Sequence, residues 1–157
     1  MEDTVKQKWI ILMCGIPGSG KSTLLSGEVP DNIEIVSSDA IRGELNGDEG
    51  NQDNAKQVWD TVYQRANAST KEYVIIDATF VNTKLRKTAI QRTKQSGRKI
   101  GCICIVPNLE VCLERNAKRK RVVPEEVIRN MYQSFVFPNR SEGFSEIIYF
   151  TVNGEQI

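Results

Sequence analysis

The residues with the clearest chemical content are consecutive: Gly15-Ile16-Pro17-Gly18-Ser19-Gly20-Lys21-Ser22-Thr23, a G-x-x-x-x-G-K-S pattern. Glycines at these spacings let the backbone wrap an anion with no side chain in the way. The loop amides then point inward at it. Lys21 reaches the outer phosphates, and the Ser22 hydroxyl is placed to ligate a magnesium ion. Gly15, Pro17, Gly18, Ser19, Gly20, Lys21, Ser22 and Thr23 are therefore read as the nucleotide-binding set, for a nucleoside triphosphate with Mg²⁺. Context separates this loop from a chance glycine-rich turn. The apolar run Trp9 to Cys14 precedes it as a buried strand, and Leu24-Leu25 come after it at the start of a helix.

Three further groups could act on a bound triphosphate. Asp77 closes the apolar run Tyr73-Val74-Ile75-Ile76, so it reads either as a metal-holding carboxylate or as a cap on the next loop or helix. Asp39 ends a shorter strand, with Arg42 one helical turn on. It reads either as a general base for an acceptor hydroxyl, leaving Arg42 free to hold an anion, or as a helix N-cap. Arg115 and Arg119 stand four apart on a predicted helix and share a face. They read either as a mobile arginine lid that stabilises charge in flight, or as solvated surface. There is no histidine, which removes Ser-His-Asp triads, Cys-His nucleophiles and histidine zinc sites together.

The charge is balanced overall, at +1, but segregated. Residues 28–60 are predominantly acidic and residues 84–121 predominantly basic, which predicts one face built for an anionic partner. Within the basic part, Lys84 to Lys99 reads as a path for a phosphodiester backbone or, more simply, a solvated helix face. Trp59 or Tyr63 could stack on a base, although their neighbours Val58 and Val62 favour packing. The Asn-Lys-x-Asp sequence of guanine recognition is missing, so ATP is the expected donor. The four cysteines (Cys14, Cys102, Cys104, Cys112) form no C-x-x-C pair. They read as reduced packing residues in a cytoplasmic protein. No stretch is long enough to span a membrane, and the apolar run at 9–16 lacks the flanks of a signal peptide.

At 157 residues the chain reads as one domain, 1–157. The apolar runs predict strands at 8–14, 33–36, 73–77, 100–106 and 147–152. Helical periodicity predicts helices from the phosphate loop to about Glu28, from Ala40, over 51–68, 83–95 and 109–118, and from Pro124. Asn82 and Asn108 are expected caps, Gly97 an expected stop, and Gly43, Gly47 and Gly50 an expected flexible stretch. Solid apolar strands alternating with helices make a parallel sheet covered on both faces. Ligands in such α/β sheets gather at the carboxyl ends of the strands, where the phosphate loop, Asp39 and Asp77 all fall.

With these pieces in place, the chain from its first strand to about Phe150 resembles the 5′-hydroxyl polynucleotide kinase family of phage and mammalian end-healing enzymes. The loop at 15–23, with its proline-glycine, is similar to the family's phosphate loop. Ser38-Asp39-Ala40-Ile41-Arg42 matches its Arg-Asp-x-x-Arg segment at the acid and the distal arginine. Residues 77–82 resemble its Asp-x-Thr-Asn-type loop, and Arg115 to Arg119 its lid, here about 109–124. The resemblance implies a P-loop kinase fold with a helical, arginine-bearing lid. It implies Asp39 as base, acceptor phosphate held by Arg42, Thr79 and Asn82, and Lys21, Arg115 and Arg119 as catalytic cations. It also implies ATP as donor, Mg²⁺ at Ser22 and Asp77, and nucleic-acid 5′-OH ends as substrate. Ser38 and Phe80 depart from the family pattern, and no phosphatase signature is present. A small-metabolite or nucleoside kinase on the same scaffold is the alternative, and a non-catalytic nucleotide switch a third reading.

Overall fold

The computed structural model describes residues 6–47 and 54–157. Strand β1 (Trp9–Cys14) lies at the centre of a five-stranded sheet. Around it stand β2 (Ile33–Ser37), β3 (Tyr73–Asp77), β4 (Lys99–Ile105) and β5 (Glu146–Phe150), in the order β2-β3-β1-β4-β5. Every pairing is parallel, with Leu12 opposite both Ile76 and Cys102, and Ser37 opposite Asp77. The register brings the carboxyl ends of β1, β2 and β3 to one edge.

Side-chain alternation divides the core between the sheet's two faces. Ile10, Leu12 and Cys14 pack with Val74, Ile76, Cys102 and Cys104 against α3 (Ala55–Ala68) and α4 (Thr83–Thr93), through Val58, Val62, Ala66 and Ala89. Met13, Ile75 and Ile105 pack on the other face against α5 (Leu109–Ala117) and α6 (Glu125–Gln133), through Cys112 and Ile128. Each fully buried aliphatic side chain contributes roughly 1.5–3 kcal/mol, so both layers hold the sheet. All four cysteines are buried and unpaired. Among the described residues, no helix is long and apolar enough to cross a membrane.

The elements depart from the sequence reading in two places. Helix α1 is only Lys21–Leu24, not a helix to Glu28. Ser26 Oγ bonds back to the Thr23 carbonyl at 2.7 Å, and Gly27 adopts φ +95°, so the backbone turns away after one turn. Conversely, α2 runs from Ser38 to Asn46 straight through Gly43, the expected opening of a flexible stretch. Gly47 ends it at φ 73°, donating its N–H to the Gly43 carbonyl at 2.8 Å. The expected glycine at 50 and the helix start at 51 lie outside the described residues. Asn82 and Asn108 do cap α4 and α5, accepting from Leu85 and Val111, and Gly97 stops the 3₁₀ turn after α4 at φ 70°.

Much of the basic stretch at 84–99 is structural. Arg92 pairs with Asp60 at 2.9 Å and lies over the Tyr63 ring. Arg98 donates to the carbonyls of Trp9, Ser69 and Glu72, tying the amino ends of the strands together. Arg86 is wholly buried, paired with Glu142 at 2.9 Å, and also donates to the Phe80 carbonyl at 2.9 Å. A continuous phosphodiester path along this helix would need these cations free, and they already have partners.

Removing one member of a buried, hydrogen-bonded ion pair strands the other charge in the core. Glu142→Ala is therefore expected to lower unfolding free energy by about 3–5 kcal/mol, read from urea melts. A loss below about 0.5 kcal/mol, the level of an ordinary surface substitution, would contradict the role given to this pair.

Candidate active site at the carboxyl edge of the sheet

The phosphate loop leaves β1 and passes through two left-handed glycines, Gly18 (φ +83°) and Gly20 (φ +101°). At Gly18 the need is doubled, because a Cβ there would come 2.5 Å from the Cys112 carbonyl oxygen of α5. Lys21 Nζ donates to the loop carbonyls of Gly15 at 2.9 Å and Ile16 at 3.3 Å. Burial lowers the pKa of this ammonium, and the Asp77 carboxylate pulls it back up. Burial likewise raises the pKa of Asp77, opposed by Lys21 and reinforced by the like charge of Asp39. Thr79 and Gly15 are joined through the backbone, Gly15 N–H to Thr79 O at 3.0 Å.

Asp39 is not the cap of α2. Ser37 holds that position, accepting from the Ala40 amide at 3.1 Å, and Asp39 stands in the first turn with its side chain half exposed. Both its oxygens meet guanidinium groups: Arg42 Nη1 lies 2.6 Å from Oδ1, and Arg121 Nη2 lies 3.1 Å from Oδ2. The expectation that Arg42 stands free is corrected by this contact. Arg42 is nonetheless nearly buried, and its Nε, itself closed off from solvent, has no hydrogen-bond partner. Ser38, beside it, is buried with its hydroxyl 3.5 Å from the Asp77 carbonyl.

Arg115 and Arg119 do not share one helix. Helix α5 ends at Ala117 with Lys118 as C-cap, so Arg119 falls in the following loop. Arg115 is anchored, donating to the Val152 carbonyl at 2.6 Å, whereas the Arg119 side chain makes no hydrogen bond or ion pair among the described residues. Both still line one cavity of about 470 Å³, together with Lys21, Asp39, Asp77 and Arg121. Pro17, Gly18, Gly20, Ser22, Thr23, Arg42 and Thr79 line it too. Asn82 does not, because its side chain is spent on capping α4. Ser19 is buried, and its hydroxyl has no hydrogen-bond partner.

Sequence reasoning missed several contributors. Arg121 sits in a run of basic residues with no spacing rule to single it out. Val123, Val127 and Met131 form an apolar wall from the lid loop and α6. Trp59, a candidate from the sequence, does both things weighed for it: it reaches the cavity while packed on Tyr63 (5.7 Å) and Phe80 (5.9 Å). Tyr63 is in the core. A second hollow, about 260 Å³, adjoins the first through Gly20, Thr23 and Arg115 and is closed by Thr151 to Gly154. The Ser22 hydroxyl and Asp77 carboxylate are hard oxygen donors on the same cavity wall, a donor set that suits Mg²⁺.

A parallel sheet with a phosphate loop after its central strand, carboxylates from the two neighbouring strand ends and a cationic lid define the P-loop kinase fold, in the α/β class. Residues 10–138 match the model of the AAA domain family, and the chain belongs to that family. It is 26% identical over 147 residues to L-seryl-tRNA(Sec) kinase of Methanococcus maripaludis, covering 82% of this chain. The chain spans only 53% of that protein's length. Among solved structures, a chain of the Pnkp1/Rnl/Hen1 RNA repair complex superimposes with a TM-score of 0.72 at 20% identity, over 84% of this chain and 45% of that one. A chain from the PezAT toxin–antitoxin system of Streptococcus pneumoniae gives 0.70 at 20% identity, over 99% and 73%. These structural likenesses show the fold.

The raised pKa of Asp77 has a stability signature. Its folded-state value lies above the unfolded one, so the stability it contributes is complete below the ordinary carboxylate range and is lost as pH rises through the folded value. Asp77→Asn is therefore expected to raise the melting temperature at pH 7, with the gain shrinking to nothing in acid. Thermal melts between pH 3 and pH 8 check this (roughly the span of carboxylate titration), and a variant less stable at neutral pH would contradict it.

Proposed function

We propose that the protein is an ATP-dependent phosphotransferase acting on the 5′-hydroxyl ends of nucleic acid, a polynucleotide 5′-hydroxyl kinase. The observation that carries the reading is the meeting of Lys21, Asp39, Asp77, Arg115 and Arg119 on a single cavity. In this reading the triphosphate lies along the loop at 15–23, and the nucleoside enters the adjoining hollow closed by Thr151 to Gly154. The acceptor hydroxyl enters beside Asp39. Its oxygen bonds to the γ-phosphorus as the bond to the bridging oxygen breaks; the electron pair leaves with ADP, and the proton goes to the Asp39 carboxylate. Lys21, Arg115 and Arg119 stabilise charge on the phosphoryl oxygens. Mg²⁺ held by Ser22 and Asp77 would neutralise charge on the donor phosphates.

Arg42 and Thr79 line the acceptor side, where the Arg42 guanidinium suits a phosphate oxygen. Asn82 acts there only by holding the start of α4, which fixes the loop that carries Thr79. Trp59 and the wall of Val123, Val127 and Met131 offer apolar surface for a planar base, which favours a nucleic-acid end over a polyol. Similarity to a kinase named for seryl-tRNA(Sec), and to a chain of an RNA repair complex, supports an acceptor carried on nucleic acid.

Transfer of labelled γ-phosphate to a 5′-OH oligonucleotide tests the reading, beside mononucleoside and sugar acceptors. Asp39→Ala is expected to lower turnover by about 10²–10⁴-fold while ATP still binds. Near-normal turnover in that variant would remove Asp39 from the role of base. Transfer to sugars with none to oligonucleotides would select the small-metabolite alternative.

A further inference from the structure

As a general base, Asp39 is hindered in the arrangement seen, because each of its oxygens carries a guanidinium. A carboxylate takes a proton through a lone pair facing the hydroxyl, and each guanidinium contact uses one of about four and crowds the rest. Here Arg42 occupies Oδ1 and Arg121 occupies Oδ2. The two guanidinium groups differ in how they are held. Arg42 is nearly buried and reaches Asp39 within one turn of α2. Arg121 comes from 82 positions away, on the irregular loop between α5 and α6, with about a third of its side chain exposed. Arg121 is therefore the group that can yield. Its guanidinium already faces the cavity where Lys21, Arg115 and Arg119 would gather phosphate. A phosphate group offers it several oxygens and more charge than one carboxylate oxygen does.

We infer that Arg121 is a positioning residue that latches the lid loop onto Asp39 in the substrate-free enzyme and releases the carboxylate when a substrate phosphate takes the guanidinium. The inference rests on Asp39 being the base. The latch guards against futile hydrolysis. If Oδ2 were open with ATP bound and no acceptor, water would serve: its oxygen bonds to the γ-phosphorus, the bridging bond breaks, ADP leaves, and Asp39 takes the proton. The guard works only if the phosphate that draws Arg121 away belongs to the acceptor, because a latch opened by ATP alone would admit water.

The first test needs no catalysis. Residues 118–121 are Lys-Arg-Lys-Arg, so trypsin reports on the loop directly. In the substrate-free protein, Asp39→Asn removes a charge that holds Arg121 at the cavity and is expected to speed cleavage there at least threefold. Equal rates would overturn the latch. A nucleoside 3′-monophosphate alone should raise the wild-type cleavage rate; no change with it, or the same rise with a non-hydrolysable ATP analogue alone, overturns the inference. The second test measures ADP release without acceptor. Arg121→Gln is expected to raise it at least fivefold, whereas Arg121→Lys, which keeps a cation, stays near wild type. Unchanged release in Arg121→Gln, or loss of both release and transfer, would overturn the latch. A wild-type protein that transfers phosphate to no 5′-OH would instead sink the functional reading and leave the proteolysis result standing.

Discussion

Arg86 carries its charge with no access to solvent, and its hydrogen bonds reach parts of the chain that no strand pairing joins. Glu142 answers the charge from beyond α6; the carbonyl of Phe80 takes a second donor; Cys14, the last residue of β1, lies 3.7 Å away and itself donates to Phe80. The result is a fixed junction under the start of the phosphate loop. Phe80 bears a local cost, adopting a left-handed φ of 37° that bulky residues avoid. That strain is held by packing against Trp59 and by the two donors on its carbonyl. Thr79 next to it accepts from Gly15, so the loop after β3 and the loop after β1 form one floor for the cavity.

Over that floor the site is strongly cationic. Among the described residues, Lys21, Arg42, Arg115, Arg119 and Arg121 line a cavity whose lining acids are Asp39 and Asp77. A concave, partly desolvated wall of one sign concentrates ligands of the other. The same burial disfavours both the ammonium of Lys21 and the carboxylate of Asp77, and each is partly offset by the charge of the other. Stability is given up at this edge and recovered in the two apolar layers.

What the sequence disclosed, it disclosed through local rules. The phosphate loop is a contiguous pattern, the strands are solid apolar runs, and the caps at Asn82 and Asn108 come from one side chain reaching a nearby amide. Where local rules competed, the reading failed. Gly43 lost to the helix around it, and Ser26 with Gly27 stopped α1 before its apolar continuation could matter. The partners of Asp39 were hidden for a different reason. Arg42 was visible at one helical turn, but its pairing needed side-chain geometry, and Arg121 meets Asp39 across a distance that leaves no periodic trace. The same holds for the carbonyl of Val152 under Arg115.

The close approach at Gly18 binds the phosphate loop to α5. With the loop backbone seated against the Cys112 carbonyl, any side chain at position 18 would push the two apart. Arg115, clamped to Val152, ties the same helix to the end of the chain beyond β5. The span between Lys118 and Pro124, which carries Arg119 and Arg121 on the cavity rim, lies outside any helix or strand, so substituting either arginine alters the site without reaching the two apolar layers.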